Sequence, residues 1–479
     1  MIKLLFIAIV AIIFILSAII IIRNKPDLWF WIFLNLYFDP GGYVYVYFGG
    51  SLAGPLHITD VFISGMALCL FSINANWRAV FQDQFLKRFL IFLFLFALYF
   101  YIVYGGIVPF YQNDFDYPNF LIKNRLFIYG IFILIAVYVF ASRSLYYFYT
   151  TTITVSAIIL TLFFITLITG IELIPVWKFA RNTEGEMMRI SMMGYGLGSF
   201  LFPISLITYL LSKKINLRLN YKTLLYYTGV VLIITYLLTL TRRTQIDIIG
   251  IVIIISLIIA YIFRMGKLSA LLKVILPTMV VILVMALTFP KYVSYIAEIG
   301  EDTVLLITTG RDSKGESDQR VKGSNDYKLT MEYINNNLFF GTGYTYLYWF
   351  DGRATSARGK EFAIAADAAG EVPIYYMIFG FGLAGAILML PLYFMMVALF
   401  FKMIRLLRLT LIKYLQDPLT IIFSAFVLLI IATKLTISLY NLSVDFTAPY
   451  MGYTGVILGI GFALYRKLQV SLVKENNHV

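Results

Sequence analysis

From Arg311 to Gly343 the chain reads RDSKGESDQRVKGSNDYKLTMEYINNNLFFGTG. These residues are the middle of a longer polar segment, Lys291 to Glu371, set into a chain that is otherwise a near-continuous series of apolar runs. If the flanking runs are membrane spans, alternation puts the segment on the extracytoplasmic side. There it carries Arg311, Lys314, Arg320, Lys322, Lys328, Arg353, Arg358 and Lys360. Short loops on that side avoid Lys and Arg, whereas a loop this long crosses regardless of charge. The basic residues therefore suggest a large cationic reaction or binding chamber at the outer membrane face.

Composition supports that frame. Hydrophobic residues make up 61% of the 479-residue chain and charged residues 13%, against roughly 25% charged in soluble domains. The mean hydropathy is +0.86. The chain reads as an all-α polytopic membrane helical bundle with one large extracytoplasmic loop. A single cysteine, Cys69, excludes a disulfide framework within the chain and a Cys-based metal site. With two histidines, His57 and His478, a His-rich metal or proton-relay site is not expected. The net charge of +13 follows from cytoplasmic loops obeying the positive-inside rule and gives no reason to invoke nucleic acid. Met1 to Ile22 has one Lys and no small-residue cleavage site, so it reads as a retained first span rather than a signal peptide.

Runs long enough to span, roughly twenty residues at about 1.5 Å each, are expected at Ile2–Ile22, Ile58–Ile73, Phe89–Val108, Leu126–Ala141, Thr151–Ile168 and Ile190–Leu211. More follow at Leu224–Leu240, Ile246–Phe263, Leu271–Phe289, Val372–Phe401, Leu419–Leu439 and Met451–Tyr465. Trp29–Gly50 is aromatic and apolar but interrupted by Pro40-Gly41-Gly42, so it reads as a span, a re-entrant hairpin or an interfacial helix. The total is about 12 or 13 spans. They divide the chain into an N-terminal bundle, 1–290, the large loop, 291–371, and C-terminal helices with a cytoplasmic tail, 372–479. Alternation places Arg78/Lys87/Arg88, Arg143, Lys213/Lys214/Arg218/Lys222, Arg264/Lys267/Lys273, Lys402/Arg405/Arg408/Lys413 and Arg466/Lys467 on one side, the cytoplasm, with the C-terminus. Arg23 and Lys25 favour an outside N-terminus with Trp29–Gly50 spanning; a non-spanning Trp29–Gly50 would put it inside. Within the loop, Tyr327, Met331, Ile334 and Leu338 recur at helical spacing after Ser324, a plausible N-cap, and Gly341-Thr342-Gly343 ends that helix. Such a helix would lie on the membrane face or cover a cavity.

Several residues are candidates for chemistry. Arg242 and Arg243 sit in a very short outer connection, where two arginines are costly unless they meet an anion. Arg is also the side chain best shaped to fork onto phosphate oxygens. The plainer reading is a pair snorkelling to the interface or to lipid headgroups. Lys178 and Arg181 lie in a mixed-charge outer loop and read as solvated, whereas Arg189 abuts the start of a span and reads equally as a site residue. Arg311 and Arg320 precede the amphipathic helix. Asp367 and Glu371 close the large loop just before Val372. A carboxylate there suits a general base or a hydrogen bond to a sugar hydroxyl, although acidic residues also favour helix N-termini. Asp114-Phe115-Asp116 matches an Asp-x-Asp pattern that holds a divalent metal against a diphosphate, but a three-residue pattern is weak and a solvated acidic turn is the simpler reading.

Read in order, these elements resemble the bacterial O-antigen polymerase and O-antigen ligase superfamily. Arg189-Ile190-Ser191, with Gly194, Gly196 and a Pro203-containing span, resembles the family's arginine-led helix. Leu240-Thr241-Arg242-Arg243-Thr244 resembles its Ser/Thr-Arg turn. Asp318-Gln319-Arg320, the helix through Tyr333 and Asn337-Leu338-Phe339-Phe340-Gly341-Thr342-Gly343-Tyr344 resemble its block of Arg, helix and Gly-x-Gly. Gly382-Leu383-Ala384-Gly385 is similar to its Gly-x-x-Gly. Where ligase members carry a His ahead of that Gly-x-x-Gly, this chain has Glu371, which favours the polymerases.

The resemblance implies glycosyl transfer at the outer face of a bacterial cytoplasmic membrane, from a glycan on polyprenyl diphosphate to a hydroxyl of a lipid-linked repeat unit. Arg189, Arg242, Arg243, Arg320 and Arg311 would cradle the diphosphate, and Glu371, with Asp367 as second choice, would activate the acceptor. No cofactor is expected, because arginines would take the place of a metal; a divalent ion at Asp114 and Asp116 is the weaker alternative. Expected partners are the lipid-linked donor and acceptor, the bilayer and a chain-length regulator. The rival readings are a ligase, a wall or exopolysaccharide glycosyltransferase, and a flippase for lipid-linked glycan. Against a flippase, charge within the spans is rare, Asp247 and Lys434 being among the few instances, and no two-half symmetry is visible.

Overall fold

The computed structural model describes residues 22–38, 51–53, 56–73, 77–107, 117–169, 180–181, 188–189, 196–201, 325–342, 373–413, 418–440 and 448–476, with a few isolated positions. Its helices are α1 Pro26–Tyr37, α2 Ile58–Ser72, α3 Trp77–Gln82, α4 Gln84–Ile102, α5 Tyr117–Arg143, α6 Tyr146–Thr169, α7 Asn325–Asn336, α8 Pro373–Lys413, α9 Pro418–Tyr440 and α10 Ala448–Asn476. Two-stranded antiparallel ribbons, Ser51–Ala53 with Leu56–His57 and Ala180–Arg181 with Met188–Arg189, a π-helical turn Val103–Ile107 and a 3₁₀ turn Gly196–Phe200 complete the described elements. Among the described residues, four helical segments are long and apolar enough to cross a membrane: Gln84–Ile107, Asn124–Arg143, Met377–Leu409 and Met451–Leu472. This is a helical membrane protein. Of the expected large loop, residues 325–342 and a few isolated positions are described; the rest of it and the spans between Leu224 and Phe289 lie outside the described residues.

Local chemistry starts these helices where they start. Asp83 caps α4, its Oδ1 accepting from the N–H groups of Phe85 and Leu86 at 3.0 and 3.2 Å. Pro26 opens α1 at a position whose N–H has no helical acceptor in any case. In α2, Oδ2 of Asp60 accepts from the His57 N–H at 2.7 Å and closes the first turn. With 15 residues, α2 reaches about 22 Å at 1.5 Å per residue, short of the roughly 30 Å hydrocarbon core.

The bundle is organised around α5 and α10, which run parallel. Gly455 and Gly459, four apart, bring α10 against the α5 backbone: a Cβ at Gly455 would lie 2.6 Å from the Gly130 carbonyl oxygen, and one at Gly459 would lie 2.7 Å from that of Leu134. Small residues at this spacing are how helices approach closely where lipid supplies no hydrophobic drive to associate. α1 runs antiparallel to α5. Its Phe30 stacks on Phe140 at 4.0 Å, and its Asp27 meets Arg143 at 2.9 Å. At the far end, Phe38 packs on Tyr453 of α10 at 4.4 Å. Thus the first nine residues of the ambiguous Trp29–Gly50 region, Trp29–Tyr37, belong to a helix embedded in the bundle; Pro40-Gly41-Gly42 lies outside the described residues. Asn35 of α1 is buried and donates to the hydroxyls of Thr151 and Thr152 on α6 at 3.3 and 3.2 Å. α4 and α8 pack beside this core through Phe96 and Phe381, 5.4 Å apart.

Charge divides the bundle into two ends. Lys87, Arg88, Arg143, Lys402, Arg405, Arg408, Arg466 and Lys467 gather at the end marked by Arg143. There Arg466 donates to the Tyr138 hydroxyl at 3.0 Å, Tyr138 donates to Asp83 at 3.2 Å, and the Lys402 ammonium lies 3.8 Å over the Phe85 ring. The opposite end, marked by Arg125, holds few charges among the described residues and contains the arrangement described next.

Candidate functional site at the break in helix α8

Two short segments meet at the Arg125 end: Asn337-Leu338-Phe339-Phe340-Gly341-Thr342, which follows α7, and Phe379-Gly380-Phe381-Gly382-Leu383-Ala384 within α8. Gly382 adopts φ 65° and ψ −176°, so α8 is two helices joined at a sharp break. Such a break frees carbonyls below it and amides above it, each costly in an apolar setting unless re-partnered. Here the other segment partners them. Leu383 and Ala384 N–H donate to the carbonyls of Leu338 and Phe339 at 2.9 and 3.1 Å. The Phe379 carbonyl accepts from both the N–H and the hydroxyl of Thr342, at 2.7 and 2.9 Å.

Glycine is obligatory at the crossing. Gly341 and Gly382 both have left-handed φ, 69° and 65°. A Cβ at Gly382 would stand 2.3 Å from the Phe339 carbonyl oxygen, and one at Gly341 would stand 2.5 Å from the Gly382 nitrogen. Left-handed φ is open to glycine at no steric cost, and here two such residues sit back to back with no room for a side chain on either.

Helix α4 closes the crossing with two phenols. The Tyr99 hydroxyl donates to the Phe381 carbonyl at 2.7 Å, and that of Tyr104 donates to the Phe340 carbonyl. One tyrosine therefore holds each segment, and their hydroxyls are 3.4 Å apart. On a regular α-helix, residues five apart point about 140° away from each other at 3.6 residues per turn. The π-helical turn Val103–Ile107 after α4 alters that register where Tyr104 sits; such turns recur at functional positions.

A buried ionic cluster occupies the same end. Asp60, 8% exposed, accepts from Tyr129 at 2.6 Å, from the His57 N–H at 2.7 Å and from Arg125 Nη1 at 3.2 Å. It ties the start of α2 to the start of the α5 span. Neither Asp60 nor Arg125 is among the sequence candidates. The signal available was an acid and an arginine, each placed where an apolar run begins.

Of the predicted site residues, Arg189 alone falls on described backbone, in a two-residue strand opposite Ala180. The next described element is a 3₁₀ turn, Gly196–Phe200. Arg242, Arg243, Arg311, Arg320, Asp367, Glu371, Asp114 and Asp116 lie outside the described residues. The chain fixes two near neighbours of the carboxylates, however. The buried Thr330 hydroxyl of α7 donates to the carbonyl of Ala365 at 3.0 Å, two residues before Asp367, and α8 begins at Pro373, two residues after Glu371. α7 starts at Asn325; Ser324, the expected N-cap, lies outside the described residues. Its buried positions are Thr330 and Ile334, while Leu338 lies beyond the helix and is 37% exposed. Among the described residues, no group of three or more His, Cys, Asp or Glu side chains is placed to hold a metal.

The first-turn amides of the upper half of α8 are engaged by Leu338 and Phe339, so this helix start offers no open anion site. The arrangement is a rigid backbone crossing, suited to holding the polar chain on either side of it in fixed register. Compared with models of protein families and with curated proteins, the chain matches none.

Proposed function

We propose that the chain is a membrane glycosyltransferase of the polysaccharide-polymerase kind, moving a glycan from polyprenyl diphosphate to a hydroxyl of a lipid-linked repeat unit. The observation that carries this reading is the crossing. Two sequence blocks chosen for their resemblance to one superfamily, Asn337–Gly343 and Gly382–Gly385, lie far apart in the chain and are hydrogen-bonded to each other. The asymmetry of charge supports it. With the Arg143 end at the cytoplasm, as the positive-inside rule favours, the crossing faces outward, where lipid-linked glycans are joined.

In this reading the acceptor hydroxyl attacks the anomeric carbon of the donor as the bond from that carbon to the diphosphate oxygen breaks. Glu371 takes the hydroxyl proton, with Asp367 as second choice, and Arg189, Arg242, Arg243, Arg311 and Arg320 meet the charge released on the diphosphate. The crossing supplies position: Tyr99 and Tyr104 hold the two backbones that segment 343–372 connects in the chain.

The test is the glycan ladder of cells lacking this protein, complemented with wild type, Arg242→Ala, Arg320→Ala or Glu371→Gln at matched membrane levels. The expected result is glycan stopped at one repeat unit in the null strain and in each variant. Ladders that form but stay on the lipid carrier would make the protein a ligase. Lipid-linked units trapped on the cytoplasmic side would make it a flippase.

A further inference from the structure

The turn between α7 and the crossing carries three consecutive apolar side chains in the open: Leu338, Phe339 and Phe340 are 37%, 69% and 56% exposed. An exposed aromatic pair on a loose loop would fold back onto the protein. Here it is held out, because the carbonyls of Leu338, Phe339 and Phe340 are bonded by Leu383 N–H, Ala384 N–H and the Tyr104 hydroxyl respectively.

The surroundings identify what covers it. On α4, Phe94, Leu98 and Ile102 are 64%, 44% and 51% exposed and lie on one face at a spacing of four. On α8, just past the break, Ile387, Leu390 and Phe394 are 63%, 45% and 70% exposed. Both stripes belong to helices long and apolar enough to span, and the break lies near the end of the α8 apolar segment, Met377–Leu409. The turn therefore continues the apolar outer surface of the bundle at the level where the spans end. On α7 itself Lys328, Glu332, Asn335 and Asn336 are exposed while Thr330 and Ile334 are buried, so polar residues face water immediately above the apolar turn.

We infer that Leu338, Phe339 and Phe340 form a membrane-interface anchor, seated among the headgroups and upper acyl chains of the leaflet at the Arg125 end. Aromatic rings favour that layer, and an exposed apolar patch rimmed by polar residues marks an interaction surface. The anchor fixes the depth of the Gly341–Gly382 crossing relative to the bilayer. This holds whatever reaction the protein performs; under the proposed function, it keeps the crossing at the level of a lipid-linked diphosphate.

Cys69 is the chain's one cysteine and is buried, which makes site-directed labelling direct. In a Cys69→Ala background, Phe339→Cys, Phe340→Cys and, as the water-facing reference, Glu332→Cys are labelled with a nitroxide. The full chain is then placed in phosphatidylcholine–phosphatidylglycerol bilayers, and collisions with oxygen and with a water-soluble nickel chelate are compared. The expected result is an oxygen-to-nickel ratio severalfold higher at 339 and 340 than at 332. Equal ratios would put the turn in water and overturn the anchor. Low accessibility to both reagents at 339 and 340 would show a protein surface covering it, and overturn it too. Should Cys69→Ala not fold, Phe339→Trp in the otherwise native chain gives a second measurement. Lipids brominated near the headgroup should quench it beyond the parent, and no added quenching overturns the inference.

Discussion

At the Arg143 end of the bundle, charged side chains meet one another across partly open surface. Arg143 and Asp27 pair at 2.9 Å with 46% and 21% of their side chains exposed, and the Lys402 ammonium rests on the Phe85 ring. At the Arg125 end, the polar groups that need partners are largely backbone, and they are partnered by backbone. The one ion pair there among the described residues, Arg125 with Asp60, has side-chain exposures of 19% and 11%. The contrast separates two ways of managing polarity at a membrane boundary. Water-backed charges tolerate change because solvent replaces a lost partner. A buried crossing does not, because each removed group leaves its partner unsatisfied where little else can reach it. A site that must hold reacting groups in place belongs at the second kind of end.

The largest effect expected from breaking that contrast is at Gly382. Gly382→Ala would place a methyl 2.3 Å from a backbone oxygen at φ 65°. The left-handed backbone alone costs about 1–2 kcal/mol for an L-residue, and neither carbonyl nor turn can move without losing the hydrogen bonds at Leu383 and Ala384. Gly461→Ala is the matched control: its Cβ would meet the tips of Val427 and Leu399 at 3.1 and 3.2 Å, side chains that can shift. Thermal unfolding in detergent should show a large loss for Gly382→Ala and a small one for Gly461→Ala. Equal losses would mean that the crossing is not the rigid element claimed.

The two ion pairs offer the next comparison. Arg125→Ala leaves Asp60 buried with only Tyr129 and the His57 amide, a change of the kind that costs about 3–5 kcal/mol. Arg143→Ala exposes Asp27 to water and should cost about 0–1 kcal/mol. Unfolding measured at several salt concentrations should leave the first loss nearly constant and shrink the second. Between the two falls Tyr104→Phe, which keeps the ring in place and removes the donor to the Phe340 carbonyl. The expected cost is about 1–3 kcal/mol, that of an unsatisfied buried acceptor. Hydrogen exchange should report it locally, as faster exchange at Leu383 and Ala384 and little change around Gly455. Uniform acceleration across the chain would deny the tyrosine its local role.

Helices were legible where an apolar run was long and closed by a clear signal. Phe89–Val108, Leu126–Ala141 and Met451–Tyr465 each fall within, or within a residue of, a described spanning segment, and Val372–Phe401 overlaps Met377–Leu409 but begins five residues before it. The crossing was legible only as two separate glycine blocks, because left-handed φ marks a turn from sequence but does not say what the turn packs against. In the sequence Gly382 reads as the start of a Gly-x-x-Gly block, not as a helix break, and its break needs Gly341 opposite to make sense. Asp60 and Arg125 were passed over since each alone resembles an interface charge. Their meaning is the 3.2 Å between them, a distance set by how α2 and α5 pack.

The smallest predicted effect tests the water-backed end most directly. The Lys402 ammonium lies 3.8 Å from the centre of the Phe85 ring and 5.8 Å from that of Tyr465. A lysine over an aromatic face at a partly hydrated site contributes about 0.5–1 kcal/mol, and Lys402→Met retains the alkyl chain while removing the charge. If charge at this end acts mainly by marking the side on which the helices are retained, Lys402→Met alone should scarcely change unfolding. Removing Lys402, Arg405 and Arg408 together should instead alter how the α8–α9 connection is oriented, read by protease access to a tag placed there. A large loss of stability from Lys402→Met would mean that its contact with Phe85 is a packing element of the α4–α8 interface, and that the two ends differ less than their exposure suggests.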